Sequence, residues 1–228
     1  MKKRRFAISD IHGCLKTFKQ LLETIGLEKS DELFLLGDYV DRGPNSISLV
    51  RYIQILISEG YDITCLKGNH ELNLLEQYAV STTVWKRLSG RGFEKKLPDP
   101  KGTWKGWRIE DLDFLANLKY YHETDGYILV HAGLNFDLQN PLKDTSAIMH
   151  IRNWYDKINF DWLGEKVIIH GHTYTDKISI EQMRDNVILN QVINIDCACA
   201  YNNKDESFLC ALNLDDLSLT FQPNIEYL

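Results

Sequence analysis

The stretch FAISDIHGCLKTFKQLLETIG, Phe6 to Gly26, reads as strand, polar loop and helix in immediate succession. Phe6 to Ser9 form a short strand, and Leu15, Phe18, Leu22 and Ile25 then recur at helical spacing until Gly26 stops the helix. The loop between them, SDIHG, carries Asp10 and His12. The same unit follows twice. ELFLLG gives a buried strand, GDYVDRGPN a polar loop, and SISLVRYIQILISEG a helix with Ser46 as N-cap and Gly60 as terminator. DITCLKG gives the third strand, ending in Asn69 and His70, and a helix is expected from Glu71 to about Ala79. Three such units indicate an α/β layered fold.

Downstream, three more strands are expected at Tyr127 to Val130, Val167 to Ile169 and Val192 to Ile195, each running into a polar cluster: HAGLN, HGHTYTD and DCACAYN. The C-terminal ESFLCALNLDDLSLTFQ alternates as a hairpin does and is expected to complete a second sheet packed on the first. No linker, repeat or low-complexity stretch interrupts the chain. The expectation is one domain, residues 1–228, with a basic, tryptophan-containing insertion at about 80–118.

Composition is that of an ordinary globular protein, 44% hydrophobic and 25% charged over 228 residues. No apolar run approaches the roughly eighteen residues of a membrane span. MKKRR is followed by only Phe6, Ala7 and Ile8 before the chain turns polar, so no signal sequence is read and a cytoplasmic location is expected. Cysteines 14, 65, 197, 199 and 210 form an odd set without framework spacing, as free thiols do. Cys197 and Cys199 would share one face of a strand, which suits either a soft-metal site or, as the better reading, small buried hydrophobes. The net charge of −6 argues against general nucleic-acid binding. It is unevenly spread, because Ser81 to Arg108 hold eight basic residues against Glu94 and Asp99, a local balance of +6.

The polar residues at the strand ends are Asp10, His12, Asp38, Asn69, His70, His131 and His172. Loops leaving the carboxyl ends of strands converge on one crevice in α/β sheets. This mixed oxygen and nitrogen set suits first-row divalent metals, and it offers too many ligands for one ion that must keep open positions. A pair of ions is the reading. Two divalent ions bring four positive charges and Asp10 with Asp38 remove two, leaving a doubly positive site that complements a phosphate dianion.

DIHG at 10–13, GDYVDRG at 37–43, GNHE at 68–71, HAGL at 131–134 and HGHT at 170–173 together resemble the ordered motifs of the metallophosphoesterase superfamily, in particular its phosphoprotein phosphatase branch. The resemblance implies a calcineurin-like sandwich of two mixed sheets flanked by helices. It also implies metal binding by Asp10 and His12 on one side, Asp38 as bridge, and Asn69, His131 and His172 on the other. Manganese is the first expectation for the two divalent ions, with iron, zinc and cobalt also suited. His70 would then be the proton donor to the leaving group, Asp41 its carboxylate partner, and Arg42 and Arg152 the phosphate-binding forks.

Length and the compact C-terminus look most like bacterial or phage serine/threonine protein phosphatases, so a phosphorylated protein or small phosphoester is the expected substrate. The alternative resembles the symmetrical diadenosine tetraphosphate hydrolases, for which a nucleotide-stacking aromatic pair in the basic segment, among Trp85, Trp104 and Trp107, would argue. A non-catalytic phosphate-binding module is the third reading, opposed by the complete set of expected residues. Two departures stand out: Lys67 precedes GNHE where many protein phosphatases resemble RGNHE, and the SAPNY-like loop of eukaryotic members is absent. Eukaryotic regulatory subunits are therefore not expected.

Overall fold

Residues 3–78, 106–201 and 206–227 are described by a computed structural model of the chain. Three parallel strands, β1 (Arg5–Ile8), β2 (Glu32–Leu35) and β3 (Asp62–Cys65), alternate with helices α1 (Leu15–Thr24), α2 (Ser46–Ser58) and α3 (69–78). Helix α4 (Ile109–Ala116) follows, then strands β4 (Tyr121–Thr124) and β5 (Tyr127–Val130) and the short helices α5 (Thr145–His150) and α6 (Phe160–Leu163). Strand β6 (Val167–His170), helices α7 (Lys177–Asp185) and α8 (Val187–Asn190), and strands β7 (Val192–Asn194), β8 (Phe208–Asn213) and β9 (Leu219–Pro223) complete the order.

Two mixed sheets result, β3-β2-β1-β8-β9 and β4-β5-β6-β7. Strands β1, β2, β5, β6 and β7 are buried on both faces, which is why they read as continuous apolar runs. Phe6, Ile8, Leu33 and Leu35 face one way into a core with α1, α2 and α4, while Ala7, Phe34 and Leu36 face the other sheet through Leu129, Ile169 and Ile193. Ile128, Val130 and Ile168 line the far side of that second sheet with Ile148, Trp154 and Leu163. The order is helices, sheet, sheet, helices, as the calcineurin-like expectation required.

Several local expectations need correction. The C-terminal hairpin does not build the second sheet: β8 lies antiparallel to β1 and extends the first. The second sheet is completed instead by β4, whose YHET is polar and half-exposed and gives no apolar signal. Asn45, not Ser46, is the N-cap of α2, and the Ser46 hydroxyl accepts from the Asp41 amide at 3.0 Å. Cys197 and Cys199 do not share a face. Ala198 between them has φ 57°, and the turn sends Cys197 into the inter-sheet core and Cys199 into the helical one, so no soft-metal pair forms.

The expected insertion at 80–118 is only partly separate from the core. Leu112, Leu115 and Leu118 are buried in the first core and Trp107, partly buried, packs against it. Trp85, Trp104 and the basic residues through Lys105 lie outside the described residues. No helix among the described residues is long and apolar enough to cross a membrane.

Candidate metal centre

The loops after β1 and β2 stay zipped beyond the strands: the amides of His12 and Gly13 donate to the carbonyls of Asp38 and Tyr39, each at 2.8 Å. Keeping the chains paired while their side chains turn inward forces unusual backbone. Asp10, His12, Asp38, Asp41, Arg42 and His172 all have positive φ, between 46° and 70°. Such conformations cost free energy in non-glycine residues and persist only where the surroundings fix them. Gly68 is needed for the same closeness, because a Cβ there would overlap the Asp38 carboxylate.

The structure brings the six expected ligands together. His12 Nε2 is 3.4 Å from Asp38 Oδ2 and 3.9 Å from Asp10 Oδ1; His131 Nε2 is 3.5 Å from Asp38 Oδ1. The Asn69 amide oxygen faces both His131 Nε2, at 3.0 Å, and His172 Nδ1, at 2.9 Å. The first sheet supplies Asp10, His12, Asp38 and Asn69; the second supplies His131 and His172. The two halves are joined directly, since the His172 amide donates to Asp10 Oδ2 at 2.9 Å.

The proton inventory shows what this cluster lacks. The Nδ1 atoms of His12 and His131 lie 2.8 and 2.9 Å from the backbone carbonyls of Val40 and Leu36. A carbonyl only accepts, so each Nδ1 carries the hydrogen and each Nε2 presents a lone pair. Burial drives the His131 and His172 pKa values down to about 3 and that of His12 well down, so the rings are neutral. The Nε2 lone pairs of His12 and His131 thus face the carboxylates and the Asn69 amide oxygen, and His12 Nε2 is buried without any hydrogen-bond partner. Asp10 and Asp38 are raised by burial, and Asp38 further by its neighbours Asp10 and Glu71. Acceptors converging on acceptors, with buried carboxylates held above their usual pKa, are what a cation would relieve. The residues fit a divalent pair, and the two groupings among the described residues that can each hold an ion share Asp38.

One grouping includes His70, whose Nε2 is 3.9 Å from Asp38 Oδ2. Its Nδ1, however, sits 2.7 Å from Asp41 Oδ2, which keeps the hydrogen there and turns Nε2 toward the cleft, with Arg42 Nη2 3.4 Å away. Arg152 is held by Thr173 Oγ1 at 3.0 Å, beside His172. Lys67 does not replace an arginine at the rim: its ammonium donates to the Ala116 carbonyl at 2.8 Å and lies over the Tyr120 ring. That charge serves the C-terminus of α4.

Three supporting residues were not singled out from the sequence. Glu71, fully buried, accepts from the amides of Asp38, Tyr39, Val40 and Gly68 at 2.8 to 3.2 Å and so shapes the loop that presents Asp38. The Ser9 hydroxyl donates to Asp10 Oδ2. Asp196, also buried, caps the Ala198 amide at 3.0 Å. The GNHE motif did carry Glu71, three residues after Gly68, as the signal available for it.

A Calcineurin-like phosphoesterase family model matches residues 4–200. The chain belongs to that family. Symmetrical bis(5'-nucleosyl)-tetraphosphatase of Nitrosomonas europaea is 38% identical over 130 residues, 57% of this chain and 44% of that protein. Its namesake from Haemophilus ducreyi is 28% identical over 97% of this chain and 77% of its own length. The chain spans about half the length of the curated relatives at 32–38% identity. Among solved structures, one provisionally named a diadenosine tetraphosphatase superposes with TM-score 0.69 at 20% identity, covering 98% of this chain and 95% of its own. A serine/threonine phosphatase from Saccharomyces cerevisiae superposes with TM-score 0.59 at 15% identity, over 96% and 79%. These structural likenesses speak for the fold alone.

Calcineurin-like phosphoesterases bind divalent ions, and metal binding to this chain is testable without turnover. Saturating Mn²⁺, at about a hundred times its dissociation constant, should stabilise the fold by about 2.7 kcal/mol. For a protein of this size the melting temperature then rises by about 5–10 °C and returns with chelator. Asp38→Asn should abolish most of that rise, and a full rise in the variant would remove Asp38 from the ligand set.

Proposed function

We propose that this calcineurin-like phosphoesterase is a metal-dependent phosphohydrolase whose substrate is a dinucleoside polyphosphate, diadenosine tetraphosphate being the type compound, cleaved symmetrically to two ADP. The observation that carries hydrolysis is the cage of lone pairs around Asp38, flanked by a His–Asp pair and two guanidinium groups. The choice of substrate rests on the relatives, which are named symmetrical tetraphosphatases at up to 38% identity, whereas likeness to the yeast protein phosphatase is of fold only. The alternative reading of the sequence is thus better supported than the protein-phosphatase reading.

Asp10 and His12 would hold one ion, Asn69, His131 and His172 the other, with Asp38 between. Bound there, the ions would lower the pKa of a water and polarise the phosphoryl oxygens. Water oxygen adds to one inner phosphorus and the bond to the central bridging oxygen breaks, so each product is an ADP. Arg42 and Arg152 are planar forks suited to the phosphoryl oxygens on either side. His70 Nε2 faces the cleft and would pass a proton to the leaving oxygen, its ring fixed through Nδ1 by Asp41.

The deciding experiment measures initial rates of Mn²⁺-loaded protein on diadenosine tetraphosphate, a phosphothreonine peptide and p-nitrophenyl phosphate, each with and without chelator. Diadenosine tetraphosphate should exceed the peptide by at least about tenfold in kcat/KM and yield ADP alone. Dominance of the peptide would return the assignment to a protein phosphatase.

A further inference from the structure

Two tyrosines on loops next to the centre have no part in the chemistry above. Tyr174 follows His172 and Thr173 after β6, and Tyr201 lies between β7 and β8. Both rings are about half-exposed, at 45% and 50%. Their centroids lie 6.0 Å apart with the planes tilted by 34°. The Arg42 guanidinium lies over the Tyr201 ring, 5.4 Å from its centroid, while Nη2 of the same group is 3.4 Å from His70 Nε2. One arginine therefore spans from His70 in the cleft to an exposed aromatic pair.

We infer that Tyr174 and Tyr201 form the stacking site for a nucleobase of the substrate, reached through Arg42. Large aromatic rings left half in water beside a phosphate site are apolar surface with no core to join. A base has a π-face of matching size, and aromatic rings accept any base without hydrogen-bond readout. The pair is splayed rather than closed. A flat ring contacts carbon at about 3.5–4.0 Å, so a base held between two rings needs about 7 Å, and modest rotation of either tyrosine supplies the rest.

The described parts of both loops are pinned, which fixes where the two rings are attached. The Thr175 amide donates to the Asp196 carbonyl at 2.9 Å, tying one loop to the other. The Tyr201 amide donates to the Ala198 carbonyl at 3.0 Å, and the Ser207 hydroxyl donates to the Tyr201 carbonyl. Thr173, beside Tyr174, positions Arg152. The inferred stacking pair thus lies on the strand-end loops that also carry metal-centre residues. Dinucleoside substrate is taken from the function proposed above; base binding is not, and the two can fail separately.

The test compares ADP with pyrophosphate as inhibitors of p-nitrophenyl phosphate turnover, at fixed free Mn²⁺, in the wild type, Tyr174→Ala/Tyr201→Ala and Tyr174→Phe/Tyr201→Phe. Both tyrosines are half-exposed, so the variants should fold. ADP should inhibit the wild type at least about fivefold more tightly than pyrophosphate, the lower range for one stacked base. The alanine pair should erase that preference and the phenylalanine pair should keep it. A preference unaltered in the alanine pair, or no preference in the wild type, would overturn the inference. Diadenosine tetraphosphate turnover is measured alongside: if the wild type fails to cleave it yet shows the tyrosine-dependent preference, base stacking stands and the dinucleotide substrate falls. If it is cleaved and the alanine pair keeps the ADP preference, the reverse holds.

Discussion

His70→Asn should lose about 10²–10⁴ in kcat on an alkyl phosphate while retaining its metal-induced rise in melting temperature. The loss follows from the leaving group. An alkoxide needs a proton as the bond to phosphorus breaks, and His70 Nε2 is the nitrogen that Asp41, at 2.7 Å from Nδ1, leaves facing the cleft. p-Nitrophenolate and a departing ADP are far weaker bases and need that proton less, so the same variant should lose much less on p-nitrophenyl phosphate and diadenosine tetraphosphate. A uniform loss across all three substrates would mean that His70 orients phosphate or holds an ion instead. Asp41→Asn should follow the same leaving-group order with a smaller effect, because it removes only the partner that fixes the ring.

Glu71→Gln should lower stability more than any single change at the rim of the site. The carboxylate is fully buried and takes four backbone N–H donors, two on each oxygen. Burial works against its charge and raises its pKa, but every contact is a donor, so neither a proton nor an amide hydrogen has an acceptor to meet. Glutamine would turn an NH₂ group toward two of the amides and leave them unpaired, costing about 2–4 kcal/mol. The melting temperature should drop by about 5–15 °C. Differential scanning calorimetry in excess chelator isolates the effect from metal binding, and a change under about 2 °C would show that the loop at 38–40 is held by other contacts.

The strand–loop–helix units were legible because β1 and β2 are buried on both faces, β3 turns Ile63 and Cys65 to the core, and each loop ends the apolar run abruptly with a charged or amide residue. Asp10, Asp38, Asn69 and His131 could be placed at one crevice on that basis, and the structure puts them there. Pairing between distant strands was not legible. Nothing in Phe208 to Asn213 distinguishes a partner in the first sheet from one in the second, since both offer apolar faces, and only the antiparallel match to β1 decides. Strand β4 escaped because an edge strand with polar, half-exposed residues carries no alternation. Tyr174 and Tyr201 escaped for a different reason. They lie 27 positions apart, and their adjacency depends on the link between the loops after β6 and β7.

The contact between the His172 amide and the Asp10 carboxylate, with Gly171 pressed against Ser9 and Asp10, marks the place where one sheet meets the other at the cleft. A cation shared by Asp38 from the first sheet and His131 and His172 from the second would act there as a rivet. Its departure would loosen that seam at the cleft end while both ladders and the core shared between the sheets stayed closed. Amide exchange should then quicken at Gly171 and His172 well before it quickens in β1 or β6, making the hinge between the halves a gauge of how full the cleft is.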